Sequence, residues 1–386
     1  MRAFMALAVS LLGAGQGLSP SPVTITVLNP LDVARPAETI SIVAADLIAA
    51  VGAKDVRDVH VRDSRTGSDL LTQAIDLDDN GTFDELIFQA DLAPKETRTF
   101  AAAAGERRVP KPSEFRAYGR FVRERRDDFA WENDLVAHRM YGAALETWAQ
   151  EPLTSSAIDV WVKRTSRLVI NDWYMLDDYH RDTGEGADFY SAGTTRGCGG
   201  SGVWLNDKLY VSKNFRGTRV IANGPIRVMF ELTYEPWDAG GAKAAETKRI
   251  TLDAGHYLNR IESTYQPWPA QASVGVGIRA NPGALVSADD LAAVLRVWEP
   301  IQNKAAANGW MGCAILLDPS EWRPRPATPV DGNHLALASP VAGHIVYSAG
   351  SAWDRAGRIR DAAAWDAYLA AEAARLRSPV RVTLGR

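Results

Sequence analysis

Eight charged residues fall between Arg123 and Asp134, namely Arg123, Glu124, Arg125, Arg126, Asp127, Asp128, Glu132 and Asp134, with Phe129 and Trp131 among them. A solvated run does not need two large aromatics, and a core strand is not expected to accept eight charges. The mixture fits a concave surface that holds a polar, charged ligand between apolar ring faces. A second rich segment spans residues 173–190 and carries Trp173, Tyr179, His180, Asp182, Glu185 and Asp188 on glycine-punctuated chain. His180 is one of only six histidines. Residues 193–200 follow, with Arg196 in a Gly-rich stretch where backbone can approach a ligand closely. Loops of this kind on a rigid scaffold are where function concentrates.

Three chemistries compete for these side chains. The first is β-elimination on a uronic acid, in which the site neutralises the carboxylate, removes the C5 proton and protonates the leaving oxygen. Arginine, asparagine or protonated histidine serves the first task, because charge develops on the carboxylate as an enolate forms. Tyrosine or histidine serves the proton transfers. Arg123, Arg126, Arg139, Asn133, Tyr179 and His180 supply those types. The second is glycoside hydrolysis by a carboxylate pair, for which Asp127, Asp128, Glu132 and Glu185 are available. The third is a metal site at His180, Asp182, Glu185 and Asp188; their spacing matches no standard zinc signature, so no catalytic metal is expected. Neither a Gly-x-Ser-x-Gly elbow, a P-loop nor a dinucleotide fingerprint is present. His138, before Arg139, reads as a hydrogen-bonded structural histidine.

The scaffold that must position these residues reads as β. The chain has 386 residues, 46% of them hydrophobic and 23% charged, with twelve Trp and eleven Tyr. Net charge is −4 without a basic block, which argues against nucleic acid as a partner. Arg2 followed by an apolar run to Ala14 reads as an export signal over residues 1–17, giving a periplasmic or secreted protein. No other segment is long and apolar enough to suggest a membrane span. Cys198 and Cys313 are too few for a disulfide framework; they are either one bridge or two buried thiols.

Residues 22–102 read as a small β domain, with alternating strands at 23–28 and 56–61 and another from Asp84. Between two strands, Asp76, Asp78 and Asn80 precede Gly81 at calcium-loop spacing, but Ile87 occupies the position of the bidentate carboxylate. Asn80-Gly81 is also a strong hairpin signal, so a turn is the expectation and a structural calcium the alternative. Residues 101–112 read as a linker. Beyond it, short strands near 158–163, 209–212, 226–234, 248–252, 257–265, 273–278, 314–317 and 343–346 predict a large sandwich or barrel. Helices are expected at 287–295, from an N-cap signal, and at 361–377, with an edge strand after it.

Residues 123–134, Arg139-Met-Tyr-Gly142, Tyr179 to Gly186, Arg196 to Gly200, Asn223 to Arg227 and Leu252 to Gly255 together resemble the bacterial domain-of-unknown-function family 4861. The resemblance covers nearly all of the chain after residue 17; His138 departs from it, standing where an apolar residue is expected. It implies a mainly β protein: a large antiparallel supersandwich of the galactose-mutarotase-like kind over residues 113–386, preceded by a small β-sandwich. It also implies an ulvan-type oligosaccharide dehydratase activity. On that basis the expected function is β-elimination of water at the non-reducing-end uronosyl residue of an oligosaccharide, giving a 4,5-unsaturated sugar. Arg126, Arg139 and Asn133 would hold the carboxylate, and His180 and Tyr179 would move the protons. Trp131 and Trp173 would stack on sugar, with Arg123, Glu132, Glu185 and Arg196 as further binding residues. A polysaccharide lyase, a glycoside hydrolase on uronate-containing glycans and a non-catalytic glycan-binding protein are the alternatives.

Overall fold

The computed structural model describes residues 22–176, 178–269, 271–301 and 307–385. The expected export signal lies outside them. Among the described residues no helix is long and apolar enough to cross a membrane.

The protein is mainly antiparallel β. An eight-stranded sheet runs, in spatial order, from Gly217–Ala222 through Arg227–Thr233, Glu246–Asp253, Leu258–Tyr265, His344–Trp353, Trp310–Leu317 and Val294–Pro300 to Leu285–Asp289. Two five-stranded sheets face it. One holds Gly186–Ala187, Asp159–Lys163, Val136–Met140, Asp128–Asn133 and Ala117–Val122. The other holds Lys208–Tyr210, Cys198–Leu205, Ser273–Arg279, Asn333–Ala338 and Trp322–Arg323. A parallel bridge between Ile158 and Gly197 links the two, so they act as one curved layer over the large sheet. Stacked Phe129 and Phe230, ring centroids 4.1 Å apart, join the layers. This is the expected large sandwich.

The N-terminal unit pairs two smaller sheets around its own apolar cluster, from Val23 to Ala102. Its strand Val23–Leu28 is flanked by Thr97–Ala104 and by the last strand, Arg381–Gly385. The C-terminus therefore completes the first sandwich, so residues 381–385 do not group with the segment 113–386. Strand Thr97–Ala104 also occupies the start of the expected linker. A short helix, Ala44–Val51, sits in this unit without a counterpart in the sequence reading. It ends on Gly52, whose positive φ of 71° closes the last turn.

Two helix expectations part company. Ala362–Arg377 is helical, with the Asp361 carboxylate accepting from Ala364 N at 2.8 Å. Residues 287–295 instead form the hairpin of Leu285–Asp289 with Val294–Pro300. Its acidic signal is real but caps a turn: Asp289 Oδ1 accepts from Leu291 N and Ala292 N at 3.0 and 2.9 Å. Leu295 and Val297, two positions apart and both fully buried, then follow a strand period.

The Asp76 loop is the expected hairpin connection, since Ile75 pairs with Glu85. Asp76 Oδ1 accepts from Asp79 N and Asn80 N, and Oδ2 from Gly81 N at 2.7 Å, which holds the turn. Asp78 accepts from Asn80 through both backbone and side chain. Asp76, Asp78 and Asp84 can each bring one oxygen within 4.8 Å of the others. Cys198 and Cys313 are free, buried thiols.

Candidate functional site

Strand alternation divides the charged run into two faces. Phe129, Trp131 and Asn133 point into the sandwich, whereas Asp128, Ala130 and Glu132 point outward. Register carries this across the sheet: Ala130 pairs with Arg139, and Arg139 with Asp159. Asp128, Arg139 and Asp159 thus share the outer face with Trp161 and Lys163, beneath residues 164–176 and 178–190. The strand Asp128–Asn133 is buried throughout, contrary to the expectation that a core strand would reject such charge. Glu132 in the strand and Asp134 just beyond it are accommodated by partners, and Asp128 only in part. Glu132 Oε2 takes Lys163 Nζ at 2.6 Å, and Asp134 Oδ1 accepts from Gly255 N at 2.7 Å.

Arg139 organises the outer face. It donates from Nε to Asp159 Oδ2 at 2.8 Å and from Nη1 to the Tyr179 hydroxyl at 3.1 Å. Its Nη2 lies 3.0 Å from Asp188 Oδ2, and Nη1 lies 3.6 Å from Asp128 Oδ2. The Asp188 contact is poorly aligned and the Asp128 contact too long for a hydrogen bond, so both Asp188 oxygens and Asp128 Oδ2 are buried without a hydrogen-bond donor. Burial pushes the Asp128 carboxyl up to about 7 despite Arg139 and Arg125 nearby. Asp188 is likewise pushed well above the usual carboxylate range by burial, against the pull of Arg139. Three carboxyl groups crowd one guanidinium, and desolvation outweighs attraction for two of them.

Tyr179 and His180 stand on top of this cluster. The Tyr179 hydroxyl accepts from Arg125 Nε at 2.6 Å as well as from Arg139. Its ring stacks on Trp161 at 5.3 Å, which fixes its direction. His180 is exposed and leans on Tyr179, with ring centroids 4.6 Å apart. His180 Nδ1 is 2.8 Å from the carbonyl oxygen of Asp188. A carbonyl only accepts, so the neutral ring carries its hydrogen on Nδ1 and leaves Nε2 as an acceptor without a partner among the described residues. Arg125 and Arg126 both lie over Trp148, at 4.7 and 4.9 Å from its ring. The result is a rim of cations and one indole beside a phenol–imidazole pair.

Arg123 and Arg126 are exposed, at and just beyond the Arg123–Arg125 turn. Several other expected site residues are structural. Trp131 is fully buried, stacks on His138 and donates to Asn259 Oδ1 at 2.7 Å, so it cannot meet a sugar. Trp173 is buried against Trp161. Asn133 donates to the carbonyls of Asp253 and His256 and accepts from Leu135 N and Val136 N, which leaves no capacity for a carboxylate. Glu132 Oε1 accepts from Val169 N and Ile170 N, anchoring the short helix Ile170–Tyr174. Arg196 is buried and donates to Ser156 and Ser155 hydroxyls, tying the Gly-rich turn to the neighbouring chain. Glu185 pairs with Arg167 at 2.7 Å. His138 is buried and held neutral by burial, down to about 3; its Nε2 meets Asn259 Nδ2 at 3.3 Å, but Nδ1 has no partner, so it is only partly the hydrogen-bonded histidine expected.

Arg125, Trp148, Asp159 and Trp161 are the members of the site that sequence reasoning missed. Asp159 carried a signal: an acid opening the strand Asp159–Lys163, whose middle three residues are apolar, on the same alternate face as Trp161 and Lys163.

A family model described as a domain of unknown function (DUF4861) matches residues 27–382. An uncharacterized protein, P7, of Formosa agariphila is 33% identical over 375 residues, covering 93% of each chain. Among solved structures, a protein in glycosyl hydrolase family 38 from Enterococcus faecalis superposes with a TM-score of 0.51 at 10% identity. That superposition covers 96% of this chain and 48% of the other, so the chain spans about half the length of that structure. It shares the fold of that half.

Proposed function

The chain belongs to the DUF4861 family, and from that premise we propose that it is an exported carbohydrate-active enzyme, a carbon–oxygen lyase that eliminates water from the non-reducing-end uronosyl residue of an oligosaccharide. The observation that carries this reading is the Tyr179 hydroxyl held by two guanidiniums, with the exposed His180 ring packed on the same tyrosine at 4.6 Å between centroids.

In this scheme His180 Nε2 takes the proton from C5 as the C4–O4 bond breaks and the C4=C5 double bond forms. Tyr179 gives its proton to O4, which leaves as water. Arg125 and Arg139 offset the charge left on the phenol oxygen, where such donors act most strongly. The uronate carboxylate sits on the exposed cations Arg126 and Arg123. Trp148 offers the ring face that Trp131 and Trp173 cannot. The fold shared with a protein of a glycosyl hydrolase family supports saccharide as the substrate class. Hydrolysis by two carboxylates is less well supported, because Asp128 and Asp188 are sealed beneath Arg139 at 1% and 0% exposure.

Uronate-containing oligosaccharides incubated with the protein test the reading through enol-uronate absorbance and product mass. Loss of one water with unchanged chain length is expected. Chromophore with shortening would identify a polysaccharide lyase, shortening alone a hydrolase, and binding without a new product a glycan-binding protein.

A further inference from the structure

The second five-stranded sheet carries an open cleft on its outer face that the Tyr179–His180 site does not use. Strand Cys198–Leu205 buries Val203 in the sandwich and turns Trp204 outward, against a separate apolar cluster of Leu209, Leu335 and Leu337. Gly275 permits this packing, since a Cβ there would stand 2.8 Å from Leu209 Cδ1. The cleft holds about 370 Å³, and Trp204 and Leu337 line it with Pro324, Pro326, Asp207 and Arg325. That volume lies within the ~300–1,000 Å³ of small-molecule sites. Trp204 is half-buried; among the described residues its ring meets no other aromatic ring and its indole nitrogen has no acceptor. Asp207 stands in the two-residue turn between the paired Leu205 and Lys208, where Asn206 and Asp207 have φ of 52° and 58°. It is exposed, with no hydrogen bond or ion pair from its side chain among the described residues. Arg325 is half-buried and uses one Nη1 hydrogen bond, at 3.3 Å, on the carbonyl of adjacent Pro326, without an ion pair among the described residues. Val330 and Asn333 exchange backbone hydrogen bonds at 2.9 Å, which closes the loop that carries the prolines.

The chemistry of the cleft restricts its ligand. An indole among leucine and proline side chains offers apolar surface to the C–H face of a sugar ring. One carboxylate and one guanidinium, each without a charged partner, line the same cleft. An anion would meet Asp207 and a cation would meet Arg325. A neutral ring with adjacent hydroxyls meets neither objection, because it donates to the carboxylate and accepts from the guanidinium. We propose that Trp204, Asp207 and Arg325 form a binding site for one neutral sugar residue, with its C–H face on the indole and adjacent hydroxyls on the two charged groups. The site belongs to the other five-stranded sheet from Tyr179 and His180, and it stands whether or not the protein eliminates water from uronates.

Saturation-transfer NMR titrations of the full protein with D-xylose, D-galactose and D-glucose as probes test the assignment. At least one of the three is expected to bind. Arg325→Met is expected to weaken that binding about tenfold, as for a lost hydrogen bond to a charged group, and Trp204→Ala by at least as much. Arg325→Met keeps the aliphatic stem at a half-buried position and so guards against a variant that fails to fold. His180→Ala is expected to leave the binding unchanged, which separates this site from the proposed elimination centre. Binding that is absent for all three sugars, or that is not weakened in either cleft variant, would overturn the proposal. Binding lost in His180→Ala would overturn it too, by placing the sugar at the elimination centre instead.

Discussion

Arg139 Nη1 lies 3.6 Å from Asp128 Oδ2, near enough to attract its charge and too far to hydrogen-bond it. The carboxyl is therefore incompletely compensated for its burial and is raised to about 7, from an ordinary 3.8. Because the folded protein holds this proton more tightly, the group's contribution to stability is complete below the ordinary value. It is lost as pH rises through the folded value, and is constant above it. Stability should fall with pH across that window, by up to about 1.4 kcal/mol per pH unit for one proton. Glu299, also raised to about 7, acts in the same direction. Asp128→Asn is expected to remove one proton's share of the slope. Urea unfolding from about pH 4 to about pH 8 measures it; parallel curves for the two proteins would contradict the assignment.

Tyr179→Phe keeps the stack on Trp161 and deletes only the hydroxyl that Arg125 and Arg139 address. His180→Ala removes an exposed ring. Each is expected to lower kcat by at least ~100-fold, the usual effect of losing a general acid or base. Stability should change by no more than about 0.5 kcal/mol for His180→Ala, as for an exposed position. Steady-state kinetics on an unsaturated-product assay checks both, and a full rate in either variant removes that residue from the mechanism.

Trp148 and Trp131 separate binding from stability. Trp148→Ala removes the ring under Arg125 and Arg126, and is expected to raise KM with kcat nearly preserved. Trp131→Ala opens a cavity between the layers and is expected to cost about 3–5 kcal/mol without a selective effect on KM. A Trp131 variant that folds normally and binds substrate poorly would restore the ring-stacking role expected from sequence.

The sequence carried the β architecture because strand alternation and turn residues are local signals. The helix Ala362–Arg377 was legible for the same reason, through Asp361 and the Ala-rich run. The charged run located the site but not its members. Read at period two, Asp128 and Glu132 fall on one face and Trp131 and Asn133 on the other, which already separates cluster from core. Taking the run as one surface merged them. The Arg125–Tyr179 bond joins residues 54 positions apart, and nothing local to either announces it. Arg196 misled for a related reason: a cation beside glycines looks like a ligand-holding loop, yet buried hydroxyls of Ser155 and Ser156 take its hydrogen bonds.

Glu132 and Lys163 offer a test of how the covering segment is held. Both are fully buried, and Glu132 also receives Val169 N and Ile170 N, at 2.7 and 2.8 Å, at the start of the helix that leads toward Tyr179. Lys163→Met leaves a buried carboxylate with its cation gone and is expected to cost about 3–5 kcal/mol. Glu132→Gln alone strands the ammonium instead, although its amide oxygen can still accept from the helix. The double variant removes both charges and keeps that acceptor, so its loss should be smaller than the sum of the two single losses. A double-mutant cycle by urea unfolding measures the difference, and a coupling energy on the order of 1 kcal/mol or more is expected. The kinetic readout tells the two roles of Glu132 apart. If helix anchoring is what matters to Tyr179, the double variant recovers kcat toward the wild-type value while Glu132→Ala, which offers no acceptor, does not. Strict additivity in the cycle would mean that the pair is not the element that holds the segment in place.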